Sequence, residues 1–510
     1  MRWRFDQADL GFVYSLLMAL SLALINPWGT PRGGVWTHPK VYALIALALL
    51  TWGVLLAQLV LFGIKKLRGQ ATHHFRPPAA WVWAALLWGA FLGWGLVTVY
   101  LSPVMTSNAL MANDEMGDGW VYWAWVGAFV LGNALLLRRF PGLFRPQLYG
   151  VLGAGALVGL AVLAQTLDWR LDFTDTMRQE VPTPDPKQPN VLLSNIWQGQ
   201  MPIGLTSHRG HAAFVVAAAA VLALVSLLRG WLAGRYAWPL YALSLLGVYL
   251  TATRGAQLAF GAGMVYLLFR FWRVAGARRT LLLAFVPLAL GVAGIVGSLT
   301  LGGSSGTRAL PSLATLFKNP DAFLSMRPDY WRIASAGVRE RPLTGWGYNG
   351  FGLAFPYVND FEVRFKTFLA WEGGEPVDLD RLQGTDHYYF RYFGPDGILY
   401  RGRVMSNKAH NLLLDTAVSV GLVGLALYLL LLGVFLAVTA RGAGWGLEAV
   451  LVVYLAYGLT WFESAQFSHL AWWALSVGLA WQRSPQPVRG SAQASVQGAE
   501  PFDARPAQAG

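Results

Sequence analysis

The chain has 510 residues, of which 55% are hydrophobic and 13% charged, with a formal net charge of +13 at pH 7 and no cysteine. Soluble globular chains carry about 25% charged residues, and here apolar runs of bilayer-crossing length recur from end to end, which excludes a soluble fold. The positive charge then belongs to basic loops and anionic membrane lipids, with no nucleic-acid partner expected; the missing cysteines exclude disulfides, thiolate metal sites and cysteine nucleophiles.

The first apolar run, about 11–26, follows Arg2 and Arg4 and lacks a small-residue cleavage site, so it reads as a retained helix and not a signal peptide. Further spans are expected at about 41–63, 80–101, 119–137, 148–166, 211–228, 236–252, 255–272, 280–301, 411–439, 446–462 and 468–482. That makes an all-α, polytopic bundle of about twelve transmembrane helices. Only Thr253-Arg254 separates 236–252 from 255–272, a stretch too long for one span.

Loop charges orient the bundle. With the amino terminus in the cytoplasm, the short inner loops carry Lys65, Lys66, Arg68, Arg76, Arg138, Arg139, Arg145, Arg229, Arg235, Arg270, Arg273, Arg278, Arg279 and Arg441 and contain no Asp or Glu. The facing loop 102–118 carries Asp114, Glu115 and Asp118, as the positive-inside rule requires. Both termini are then cytoplasmic. The expected organisation is nine helices in 1–301 with an external loop at 167–210, an external loop domain at 302–409, three helices in 410–483, and a disordered tail at 484–510 rich in Pro, Gln, Ala and Ser. The external domain should hold an amphipathic helix from Arg327 to Glu340, stopped at Arg341-Pro342, and an aromatic hairpin from Tyr388 to Met405 around Gly394-Pro395-Asp396-Gly397.

Few residues on the outer side carry chemistry. Arg254 lies between two apolar runs, at or just under the outer surface. Snorkelling at a helix end is the bland alternative, but an outer-face arginine works against the orienting charge bias. Its guanidinium fork suits a pyrophosphate. Arg327 begins the external helix with Trp331 one turn later on the same face; it reaches the same phosphate or lies on a solvated face. His410 precedes a long helix at its outer amino terminus, where the dipole disfavours imidazolium; a neutral general base and an interfacial surface histidine both remain open. Asp415, about 140° around the helix from His410, is poorly placed to orient it.

Three looser matches are set aside. Gly345-Trp-Gly347-Tyr-Asn-Gly350 has dinucleotide-loop spacing without the strand–turn–helix context. Asp378-Leu-Asp380 is a lone acidic pair in what reads as a solvated loop. His208 and His211 lack further metal ligands. No metal and no cofactor is expected.

Taken together, the motifs resemble those of the O-antigen ligases. His410-Asn411, nine residues, then Gly421 is similar to that family's His-Asn-x9-Gly signature. Thr251-Ala-Thr-Arg254-Gly resembles its Ser/Thr–Arg–Gly segment. Arg327-x3-Trp331 followed by Glu340-Arg-Pro-Leu-Thr-Gly-Trp-Gly347 resembles its Arg–Trp helix and Pro-Leu-x-Gly-x-Gly turn, and Pro202-Ile-Gly-Leu-Thr-Ser-His208 its glycine-containing turn before a membrane helix. The resemblance covers about 202–424.

It implies a GT-C-like membrane glycosyltransferase of the inner membrane, transferring a glycan from undecaprenyl pyrophosphate to lipid A-core on the periplasmic face. By carry-over, Arg254 and Arg327 hold the pyrophosphate, with Arg209, Trp331 and Asn411 in the same substrate site, and His410 is the catalytic base of a metal-independent inverting transfer. An O-antigen polymerase and a protein O-oligosaccharyltransferase share these features. A lipid-linked oligosaccharide flippase would instead place charges or broken helices near the bilayer midplane. The aromatic-rich external segment, with Trp371, Tyr388, Tyr389, Phe390, Tyr392 and Phe393, points to an unusual acceptor. Oligomeric state is left open.

Overall fold

The structure, a computed structural model, describes residues 7–29, 32–70, 77–102, 106–112, 116–167, 202–274, 276–300, 327–354, 375–380, 389–393, 396–403, 408–442 and 444–481. Most of the expected external loop 167–210, the tail from 484, Arg76, Asp114, Glu115, Trp371 and Tyr388 lie outside the described residues.

The longer helices are α1 (Gln7–Ala23), α2 (His38–Leu67), α3 (Ala79–Leu101), α4 (Trp120–Arg139), α5 (Phe144–Thr166), α6 (Arg209–Leu228), α7 (Gly234–Leu250), α8 (Arg254–Phe271), α9 (Ala277–Thr300), α10 (Arg327–Glu340), α11 (Leu412–Arg441), α12 (Glu448–Gly458) and α13 (His469–Ala480). Among the described residues, six stretches are long and apolar enough to cross a membrane: His38–Leu67, Ala79–Leu101, Trp120–Arg139, Pro141–Thr166, Arg209–Leu228 and Leu412–Arg441. Many large apolar side chains on α2 and α3 face outward, including Leu56, Leu59, Trp83 and Leu86, as a lipid-facing surface requires. The centre is α6, an Ala- and Val-rich helix buried from Gly210 to Ser226, with α5, α7, α8 and α12 packed around it. Its small side chains let those neighbours approach closely.

The last two helices are shorter than the sequence suggests. Spans at 446–462 and 468–482 were expected, whereas α12 has 11 residues and α13 has 12. At about 1.5 Å per residue each is under 20 Å, short of a hydrocarbon core of about 30 Å. Between them, 459–468 forms a non-helical turn that is buried from Trp461 to Ser468. Irregular backbone inside a membrane protein must find internal partners. Here Ala465 N–H donates to Met116 O (2.8 Å), Ser464 N–H to Ser468 Oγ (3.1 Å) and Gln466 N–H to Ser464 Oγ (3.3 Å).

Helix α10 forms where an amphipathic helix was expected and packs on α11. The described remainder of 302–409, expected to be external, contains a three-stranded antiparallel sheet, β1 (Glu375–Asp380), β2 (Tyr389–Phe393) and β3 (Leu399–Arg403), in the order β1-β2-β3. β2 and β3 pair from Tyr389↔Arg403 to Phe393↔Leu399 across a turn containing Gly397 at φ 73°. Asp378 and Asp380, expected in a loop, stand on β1 next to a register shift. The sheet is an addition to an otherwise helical fold.

Two glycine motifs from distant parts of the sequence interlock. α11 breaks at Gly421 (φ 70°, ψ 178°), a region open essentially to glycine alone. The turn after α10 closes on this break: Leu422 N–H donates to Pro342 O (2.8 Å), Trp346 N–H to Val418 O (2.9 Å) and Gly347 N–H to Ser419 O (2.8 Å). A Cβ on Gly421 would overlap Leu343 O, and one on Gly345 (φ 63°) would lie 2.6 Å from Gly421 N. Gly421→Ala is expected to cost about 2 kcal/mol or more, from strain of about 1–3 kcal/mol plus the overlap. Thermal unfolding in detergent checks this; an unchanged melting temperature contradicts the interlock.

Candidate functional site

The site is built around the turn after α12. Three helices whose first residue is an arginine start beside it: α6 at Arg209, α8 at Arg254 and α10 at Arg327. Arg327 Nε donates to Thr460 O at 3.2 Å. Gly255, next to Arg254, lies against Thr460 so closely that a Cβ there would strike its hydroxyl, and Gly210, next to Arg209, lies in the same way against Tyr457 and Trp461. Tyr457 OH also donates to Gly210 O at 2.8 Å. A fourth helix start, that of α11, closes the group, with Asn411 Nδ2 donating to Leu459 O at 3.1 Å.

Two of the arginines are presented by turns that their local sequence fixes. Before α6, the turn at 202–208 is tied down by Gln165, whose Oε1 accepts from Ile203 N (2.9 Å) and Gly204 N (2.8 Å), and by Gln466, which accepts from Ser207 N (2.9 Å). The buried Lys40 ammonium adds a bond to Leu205 O (2.8 Å), and His208 caps α6 by accepting from Gly210 N (3.0 Å). Before α8, Ala252 takes a left-handed conformation (φ 48°) that reverses the chain within three residues and presents Arg254 at once. Like charges set at the positive ends of helix dipoles are unfavourable by themselves and favourable toward an anion. Accordingly the Arg327 pKa is lowered, first by burial and further by the charges of Arg254 and Arg209, against an opposing effect of Tyr457 and Tyr330.

His410 stands beside Arg327. Its backbone is left-handed (φ 53°), uncommon for a non-glycine residue and characteristic of functional positions that their surroundings over-determine. The ring stacks on Tyr330 (centroids 5.2 Å apart) and meets Trp461 (5.2 Å) and Phe462 (4.9 Å) edge-on. Nδ1 lies 3.1 Å from Lys408 O. A carbonyl can only accept, so Nδ1 carries the proton and Nε2 holds the free lone pair. Burial drives the His410 pKa down to about 4; the Lys408 carbonyl opposes the shift and the Arg327 charge adds to it. The imidazole is neutral at pH 7.

Trp331 Nε1 donates to His410 O at 3.4 Å, so Arg327 and Trp331 both face the site, as their spacing suggested. Asn411 uses its side chain as the α11 N-cap, accepting from Leu413 N and Leu414 N, both at 3.1 Å. Asp415 does not touch His410 but bonds Lys408 and Ala409. Asp118, read in the sequence as loop charge, is buried against Lys408. Among the described residues no group of three or more His, Asp or Glu side chains is arranged to hold a metal ion. His208 and His211 instead pack against Trp461.

Sequence reasoning missed the Thr460-Trp461 turn, Tyr330 and Lys408. The turn carries no motif and works largely through backbone carbonyls. Lys408 and Tyr330 sit within three residues of His410 and Arg327, which was the only signal.

A family model described as O-antigen ligase matches residues 239–370, a stretch that includes Arg254, Arg327 and Trp331 and ends before His410. No curated protein matches the chain.

Proposed function

We propose, from the O-antigen ligase family to which the 239–370 match assigns this chain, that it transfers a glycan from undecaprenyl pyrophosphate to lipid A-core on the periplasmic face of the inner membrane. At the coarser level the chain is a membrane glycosyltransferase of the O-antigen ligase/polymerase type, and its partners are a lipid-linked glycan and an acceptor. The observation that carries the finer reading is the meeting of three arginine-headed helix starts beside a neutral histidine.

In this reading Arg254, Arg327 and Arg209 hold the donor pyrophosphate. His410 Nε2 takes the proton of the acceptor hydroxyl as that oxygen attacks the anomeric carbon. The new glycosidic bond forms with inversion while the bond to the pyrophosphate oxygen breaks, and the departing negative charge is received by guanidinium groups and helix N-termini. Trp331 and Asn411 shape the site by holding His410 and the start of α11. The three guanidinium groups supply the charge stabilisation that a divalent cation supplies elsewhere.

Purified protein in nanodiscs, with a lipid-pyrophosphate glycan and a lipid A-core acceptor, should therefore form ligated product in excess EDTA. Activity that returns only with Mg²⁺ or Mn²⁺ contradicts the mechanism and turns attention to Asp378 and Asp380. The same mixture without acceptor separates the alternatives, since a polymerase lengthens the donor by itself and a ligase does not.

The orientation, with 302–409 outside and both termini cytoplasmic, rests on the acid-free basic loops. The natural sequence has no cysteine, so single cysteines report cleanly. Gly373→Cys should react with an impermeant thiol reagent from outside and Gly69→Cys should be protected. The reverse pattern inverts the topology.

A further inference from the structure

Beneath His410 lies a buried ionic cluster that the proposed reaction does not use directly. The Lys408 ammonium is 2.6 Å from Asp118 Oδ2 and 3.3 Å from Asp415 Oδ2. Asp415 grips two successive residues, because its other oxygen, Oδ1, accepts from Ala409 N at 3.0 Å. All three charged side chains are nearly inaccessible, with relative exposures of 3%, 5% and 6% for Lys408, Asp118 and Asp415. Burial alone would lower the Lys408 pKa, but the two carboxylates outweigh it and keep the ammonium firmly charged.

The cluster borders a cavity of about 30 Å³ lined also by Tyr348, Asn349 and Glu463. Asp118 Oδ1, Tyr348 OH, both Asn349 amide atoms and Glu463 Oε2 are buried there with no hydrogen-bond partner among the described residues. That polarity and volume suit internal water, which needs roughly 10–15 Å³ and two to four polar partners. Water in such a chamber would make two carboxylates around one ammonium tolerable.

A buried ion cluster is poor evidence for stability, since well-packed apolar residues often serve as well or better. Its best reading is positional, and its position is two residues from His410. The side chain of Lys408 is anchored in the cluster, and its carbonyl faces His410 Nδ1. The left-handed turn at His410 persists only if its flanks are fixed. Asp415 fixes the 408–409 side, and the Asn411 cap with the Trp331 bond fixes the other.

We propose that Lys408, clamped by Asp118 and Asp415 at the edge of a water-holding chamber, is a positioning residue that presents its carbonyl to His410 Nδ1 and so keeps the Nε2 lone pair aimed at the acceptor. The catalytic half of this statement rests on the base role of His410 above; the positional half does not.

The test reads the two halves separately. Lys408→Met alone would leave two buried carboxylates unpaired and risks misfolding. The variant of choice is Asp118→Leu/Lys408→Met/Asp415→Leu, which removes all three charges together, with its melting temperature as the folding check. Full-length protein labelled with [15N]histidine, with the His410 signals assigned by difference against His410→Gln, reports the tautomer. The parent should show a single Nδ1–H form and the triple variant a mixture of tautomers. In the lipid-pyrophosphate assay kcat should fall about 10- to 100-fold with donor KM within about threefold, a milder loss than the about 10⁴-fold of a wholly wrong tautomer because the carbonyl itself remains. An Nε2–H parent, or an unmixed Nδ1–H signal in the triple variant, overturns the proposal. A mixed tautomer with unchanged kcat upholds the positioning and removes the base role from His410.

Discussion

His410→Ala is expected to lower kcat by about 10²- to 10⁴-fold, the usual contribution of a general base. Donor binding should survive, because the arginines and helix starts that would hold the pyrophosphate are untouched. The acid limb of kcat/KM provides a second signature. An ordinary histidine titrates near 6.5, but burial and the neighbouring Arg327 charge place His410 at about 4. The rate should therefore stay flat from neutral pH down to about 5 and fall only below that, and Arg327→Ala should move the limb upward. Stability follows the same window. The unfolded chain takes up this proton below about pH 6.5 while the folded chain resists until about 4, so His410's contribution is complete above 6.5 and is lost as the pH falls toward 4. If His410→Ala abolishes donor binding while turnover per bound donor is unchanged, the histidine is a ligand contact and no base.

The sequence showed the parts of this site that depend on residue type and spacing, and hid those that depend on backbone. Arg254 was legible because a cation between two apolar runs is costly without a purpose. Arg327 and Trp331 were legible because four residues on a helix share a face: Arg327 bonds Thr460 O, and Trp331 bonds His410 O. The role of Gly421 was not, since only the folded chain shows that it accommodates the turn at Leu343. The expected span at 446–462 ran past the end of α12 because Leu459, Trp461 and Phe462 continue its apolar run, and the carbonyls of Leu459 and Thr460 that receive Asn411 and Arg327 are invisible in any side-chain pattern. Asp118 was counted as loop charge for orientation, although its partner Lys408 stands 290 residues away. Such pairings cannot be deduced from periodicity. The helical period likewise gave the correct result that Asp415 does not reach the His410 ring, and missed that it acts on the preceding backbone.

Arg254→Ala is expected to lose activity by about 10²- to 10³-fold, the cost of removing one preorganised donor from a developing negative charge. The physical case lies in the gathering of three cations at helix N-termini. Arg209, Arg254 and Arg327 each occupy the first position of a helix, where the dipole repels a cation, and the first two also depress the Arg327 pKa by their charge. The three like charges repel one another whatever local bonds each makes, as the lowered Arg327 pKa records, and a bound dianion turns that repulsion into attraction. The arginine variants should thus separate stability from activity. Arg254→Ala should still insert and fold, while donor affinity and turnover both fall. Arg254→Lys should restore only part of the rate, because an ammonium is a point charge and cannot reproduce the guanidinium fork. Arg327→Ala should lose activity to a similar degree but also lose some stability, since its Nε bond to Thr460 O helps fix the 459–468 turn. If both arginines hold one phosphate group, as proposed, the double variant should fall short of the product of the single losses. Melting curves and single-turnover rates on these four proteins decide the matter. Full activity in Arg254→Ala removes that residue from the site, and a loss of activity that only tracks a loss of melting temperature assigns it to the fold.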